Sequence, residues 1–115
     1  MSVLFDLLTS SDYINIKCNI AVARRLGLRA ALLLAVLVDE HKQLKKSGKL
    51  KDGWFPSTIK EIQNKTTLNY YAQLKNIKIL AEAGLLEHKI VGMRRQRLIK
   101  LNIPKIFEIY GETVK

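Results

Sequence analysis

The spacing of apolar positions switches along the chain between a helical period and simple alternation, and the switches mark the elements. Tyr13-Ile14-Asn15-Ile16-Lys17 alternates as a short strand would. Asn19 is placed to cap a short helix running through Arg25 and Leu26, with Gly27 to end it. Leu28 to Lys46 is the longest predicted helix. Its first half is apolar nearly all round and belongs at the centre of the core, while Asp39 to Lys46 is polar and emerges into solvent. Ser47-Gly48-Lys49 stops it, Leu50 to Gly53 makes a basic turn, and Trp54-Phe55 reads as a short strand carrying aromatic packing to the core.

Pro56-Ser57-Thr58 opens the next helix, which ends near Asn64-Lys65. Thr58 and Glu61 have capping-box spacing, Ser57 is an alternative cap, and Ile59 and Ile62 face inward. Leu68 is the apolar residue of a tight turn, Asn69 caps a helix from Tyr70 to Ala83, and Gly84 ends it. Centring the buried face on Ile77 puts Tyr70, Leu74, Leu80 and Ala81 within about 60° of it. Tyr71, Lys75, Lys78 and Glu82 then lie opposite, Gln73 and Asn76 fall at the margins, and Ile79 points outward. Leu85 to Val91 and Gln96 to Leu101 alternate as the strands of a hairpin around Gly92-Met93-Arg94-Arg95. Ile103-Pro104-Lys105 breaks the last strand, Ile106 to Tyr110 forms a closing helix, and 111–115 is a tail.

That order is the order of a winged helix-turn-helix. The expected fold class is α+β, mainly helical, with a C-terminal β-hairpin wing. The expected organisation is an N-terminal arm at 1–12, a winged-helix DNA-binding domain at 13–102, and a C-terminal extension or start of a linker at 103–115.

Composition narrows the partners. The 115 residues amount to one domain, and 48% hydrophobic content is enough for a core. A formal net charge of +10 points to a polyanion, with nucleic acid ahead of an anionic membrane surface. The lone Cys18 excludes an intrachain disulfide and a cysteine-rich zinc site, fits a cytoplasmic setting, and reads as a small apolar filler. The apolar run from Ala30 to Val38 is far short of the roughly 20 residues of a membrane span. Met1 to Leu8 carries no basic residue and is not expected to be a signal peptide. The apolar arm residues Val3, Leu4, Phe5 and Leu7, with the outward Ile79, form a candidate interface for a dimer or higher oligomer.

Candidate chemistry concentrates in the second half. The hairpin holds Lys89, Arg94, Arg95, Arg97 and Lys100, with no acid between Lys89 and Lys100. A glycine-containing turn with paired arginines suits a phosphate backbone or a minor groove, and equally a solvated hairpin with charged edges. In a helix-turn-helix the start of the second helix reaches base edges, which selects Asn69, Tyr71 and Ala72, with Lys75 and Lys78 further along. Thr67 and Asn69 can meet phosphate, although capping is the simpler role for Asn69. The reader helix has no arginine, so backbone contact should outweigh base discrimination. Lys42, Lys45, Lys46, Lys49 and Lys51 form another basic stretch, read as a solvated helix end. His41 reads as part of a polar helix face, and His88 opens the basic hairpin. The two histidines have no cysteine or carboxylate at metal-ligand spacing, and the chain has neither a glycine-rich phosphate loop nor a nucleophile elbow. No enzyme activity, metal or cofactor is expected.

Leu26-Gly27-Leu28-Arg29-Ala30-Ala31 before a long apolar helix, Asp52-Gly53-Trp54-Phe55, Thr67-Leu68-Asn69 and Leu80-Ala81-Glu82-Ala83-Gly84-Leu85-Leu86-Glu87 together resemble a known group. It is the N-terminal winged-helix domain of phage and plasmid replication initiators, such as the DnaD-like proteins and phage replisome organisers. The resemblance covers roughly residues 13 to 102. It implies origin binding to double-stranded DNA, self-association, and a separate C-terminal region that contacts helicase or a helicase loader. This chain has no room for that region, so it is expected to be a domain of a longer protein or to act alone. Family members commonly carry apolar residues where Gln73 and Asn76 stand here. A small winged-helix transcription regulator and a winged-helix oligomerisation scaffold are the alternative readings.

Overall fold

A computed structural model describes residues 16–111. Its order is α1 (Ile20–Leu26), α2 (Leu28–Lys46), β1 (Trp54–Pro56), α3 (Ile59–Thr66), α4 (Tyr70–Glu82), β2 (Leu86–Val91), β3 (Gln96–Leu101) and α5 (Ile103–Gly111). The fold is α+β and mainly helical. The arm and most of the expected strand at Tyr13–Lys17 lie outside the described residues; Ile16 and Lys17, its last two positions, are not in a strand.

The helix boundaries follow from identifiable caps. Asn19 Oδ1 accepts from the Val22 N–H at 3.1 Å and starts α1. Gly27, at φ 99°, ends α1 and begins α2 at once: its N–H donates to Ala23 O while its own carbonyl accepts from Ala31. A residue with a Cβ would be strained at that φ, so one glycine serves both helices. Thr58 Oγ1 accepts from the Glu61 N–H and starts α3. Thr67, in the left-handed region at φ 65°, closes it.

Helix α2 is the centre of the core, as its apolar circumference predicts. Ala30, Ala31, Leu33, Leu34, Val36 and Leu37 are buried with Val22, Phe55, Ile62, Ile77, Leu80, Leu85 and Ile99. The three-stranded antiparallel sheet has the order β1-β3-β2. Phe55 pairs with Ile99, and Ile99 with His88, so these three share one face of the sheet. Phe55 and Ile99 are buried, which makes that face the core side.

At its C-terminal end β3 passes directly into a helix. The Asn102 side chain donates to Gly84 O and accepts from the Lys105 N–H, while its carbonyl accepts from Ile106. Helix α5 therefore begins at Ile103, three residues earlier than periodicity indicates. Pro104 sits in the first turn, where its missing N–H costs no helical bond. It ends the strand by opening a helix. Cys18, read as an apolar filler, is exposed. Among the described residues no helix is long and apolar enough to cross a membrane.

The polar half of α2 is not uniformly solvated. His41 is buried, with its ring edge-on to Phe55 at 6.0 Å between centroids. Burial, reinforced by the positive charge of Lys45, holds its pKa below the ordinary 6.5. The unfolded chain therefore binds the proton more readily than the folded one, so stability is lost as pH falls through 6.5 towards the folded pKa. Neighbouring Glu40 has the opposite sign: burial raises its pKa, and its contribution is lost as pH rises. Urea denaturation at pH 7.5 and pH 5.5 is expected to give a lower midpoint in acid, and His41→Gln to reduce that difference.

Candidate nucleic-acid interface

Helix α4 carries most of the expected base-facing residues, and its rotation decides which of them are available. Gln73, Asn76, Ile77 and Leu80 are its buried residues. The buried face is thus turned by about 50° from one centred on Ile77, at about 100° per residue. Gln73 and Asn76 lie inside the stripe rather than at its margins. Tyr70 and Leu74, expected inside, are 47% and 38% exposed. Ile79, expected to point outward, is half-buried against the core, which removes the reason for placing it in an oligomer interface. Val3, Leu4, Phe5 and Leu7 of that interface lie outside the described residues.

A buried polar network holds this rotation. Gln73 is fully buried, and its Nε2 donates to Leu68 O at 2.8 Å and Ile59 O at 3.0 Å. Its Oε1 accepts from Arg97 Nη2 at 2.9 Å. Arg97 Nε donates to Ser57 O at 3.0 Å and Nη2 to Ser57 Oγ at 3.2 Å, while the Ser57 N–H returns to Arg97 O. The start of α3, the turn, α4 and β3 are thereby tied to one guanidinium. Burial pulls the Arg97 pKa down and the Glu40 carboxylate opposes it. Arg97 Nη1 is buried without a hydrogen-bond partner among the described residues. Glu40 is itself 3.5 Å from Lys65.

Arg97 is therefore in the interior and not among the exposed cations, where its place in a basic hairpin had put it. At 8% exposure it cannot reach a phosphate. The signal was present in β3, where Arg97 alternates with Ile99 and Leu101 and so shares their core-facing side. An arginine at such a position needs internal acceptors.

The remaining candidates divide into groups. Tyr71, Lys75 and Lys78 are exposed on α4, and Arg94 and Arg95 are exposed at the hairpin tip. Arg95, at φ 52°, donates its N–H to Gly92 O and closes the tip. Thr67 is exposed in the turn. Asn69 caps α4 by accepting from the Ala72 N–H at 2.9 Å, so capping occupies its side-chain oxygen. Ala72 is half-buried against the core and offers little to a groove. Lys89 and Lys100 lie on the outer face of the sheet, away from α4. The Lys89 ammonium sits 4.1 Å from the Trp54 ring centroid, a cation–π contact. Lys100 is half-buried, its stem against Gly53.

Two residues of β2 are exposed on the Arg97 side of the sheet. Ile90 stands opposite Arg97 in the ladder and shares its side of the sheet, yet it is exposed. His88 is on the same side and also exposed.

No match to this chain was found among family models, curated proteins or solved structures.

Loss of the Arg97 fork should be felt across the whole fold. Arg97→Ala is expected to lower unfolding free energy by about 3 kcal/mol, since it strands buried acceptors on Ser57 and Gln73. Arg97→Lys should restore only part, because an ammonium lacks the planar fork. Arg94→Ala, at the exposed tip, should stay within about 0.5 kcal/mol of the parent. Denaturant titration of the three variants checks this ordering.

Proposed function

We propose that this chain is a winged helix-turn-helix module that binds double-stranded DNA, with α4 in the major groove and the β2–β3 tip on the backbone or in the adjacent minor groove. The observation that carries this reading is that Lys75 and Lys78 on α4 and Arg94 and Arg95 at the hairpin tip are all exposed, on elements that follow one another in helix-turn-helix and wing order. Helix α3, the turn through Thr67 and Leu68, and α4 come in helix-turn-helix order, and the hairpin follows as a wing. The tip backbone is closed by its own hydrogen bond, so both arginine side chains are free to meet phosphate.

The role in the cell rests on the resemblance to replication initiators. On that basis the DNA is an origin of a phage, plasmid or mobile element, and the module works within an initiation assembly that recruits helicase. A transcription regulator would use the same surface, and a footprint over a promoter rather than an origin distinguishes the two.

Four exposed cations neutralising phosphates predict a plot of log affinity against log salt with a slope of about −3.6. Arg94→Ala combined with Arg95→Ala should bring the slope to about −1.8 and weaken binding to all sequences alike. A slope near zero for the parent protein would refute the DNA-binding reading.

A further inference from the structure

We propose that α4 recognises thymine through its 5-methyl group, so that the preferred ligand is A·T-rich duplex DNA. This rests on the DNA-binding reading above and specifies what that surface reads.

Hydrogen-bonded reading of a base edge is restricted on this helix. Two-point hydrogen bonding to a base edge needs an arginine or lysine for guanine, or an asparagine or glutamine for adenine. Helix α4 has no arginine, which leaves guanine to the single ammonium groups of Lys75 and Lys78, and its glutamine and asparagine are both committed to the interior. Gln73 uses its amide nitrogen and oxygen on Ile59, Leu68 and Arg97, and Asn76 Nδ2 donates to Ala72 O at 2.7 Å. Bidentate readout of adenine is closed to this helix.

Apolar side chains take the place of those amides on the surface. The rotation that buries Gln73 and Asn76 brings out Tyr70 and Leu74, four residues apart and on one side of the helix. Tyr71, 77% exposed, packs edge-on against Tyr70 at 5.3 Å between centroids. Tyr71 and Leu74 are each four residues from a lysine, Lys75 and Lys78, so exposed apolar side chains stand beside the cations of this helix.

A partner for this surface must be anionic and also present apolar groups at groove depth. An apolar protein surface would have to desolvate Lys75 and Lys78 without compensation. The major groove of duplex DNA satisfies both demands: phosphates line its rims, and the thymine methyl is its one apolar projection. Leu74 and the tyrosine rings meet the methyls while the lysines meet the rims.

The test compares binding of the intact chain to four 20-base-pair duplexes by fluorescence anisotropy. They are alternating dA·dT, the same with dU replacing dT, alternating dG·dC, and the same with 5-methyl on every cytosine. Each methyl brought into apolar contact contributes about fourfold in affinity. The dA·dT duplex should therefore bind about four- to fifteenfold more tightly than the dA·dU duplex, and cytosine methylation should strengthen binding to dG·dC. Leu74→Ala, at an exposed site where alanine favours the helix, should shrink the dT-to-dU ratio while leaving the salt slope unchanged. Equal affinity for the dT and dU duplexes, with the salt slope intact, overturns methyl readout and leaves DNA binding standing. Absent or salt-independent binding to all four overturns both.

Discussion

The Arg97 guanidinium sits where β3, the start of α3 and α4 meet, and its bonds to Ser57 and Gln73 set how those elements face one another. A charge buried to this degree depends on the acceptors that its donors find, and Nε and Nη2 find theirs although Nη1 has none among the described residues. Here the acceptors are the Ser57 carbonyl and hydroxyl and the Gln73 amide oxygen, with Glu40 supplying opposite charge. Gln73 in turn spends its amide nitrogen on the carbonyls of Ile59 and Leu68, which flank the turn. Helices α3 and α4 and the hairpin are therefore joined by a polar network as well as by an apolar core.

This network explains why a polar stripe can be the inner face of α4. Hydrophobic periodicity selects Ile77 as the centre and pairs it with Tyr70 and Leu74. Arg97 needs an acceptor at the position of Gln73, and meeting that need turns the helix. Tyr70 and Leu74 are displaced to the surface, and Ile79 is drawn half-way into the core. The same rotation removes the side chains best suited to hydrogen-bonding a base and presents apolar ones, so a requirement of the interior shapes the chemistry of the exterior.

The basic hairpin likewise separates into structural and exposed cations. Arg97 organises the interior. Lys89 rests on Trp54 and Lys100 covers Gly53, both on the outer face of the sheet, where long stems shield apolar surface. Arg94 and Arg95 stand at the tip, beyond the strand pairing, with side chains free of these tasks. A net charge of +10 thus overstates the cation density of any single binding face.

Most of the architecture was legible in the residues alone. Asn19, Thr58 and Asn69 cap the predicted helices, Gly27 divides α1 from α2, and the alternation after Gly84 produces the hairpin, because caps, glycines and periodicity act within a few residues of themselves. The extra turn of α5 was missed because Asn102 caps it while also bonding Gly84, eighteen residues away in sequence. His41 and Arg97 were missed as interior groups for a related reason: a polar residue is placed outside until its partner is known. The sequence by itself determined the order of elements and the basic character of the hairpin. Only the tertiary structure decided the rotation of α4 and which cations remain free, because both depend on hydrogen bonds that join Ser57, Gln73 and Arg97 across as many as 40 residues of chain.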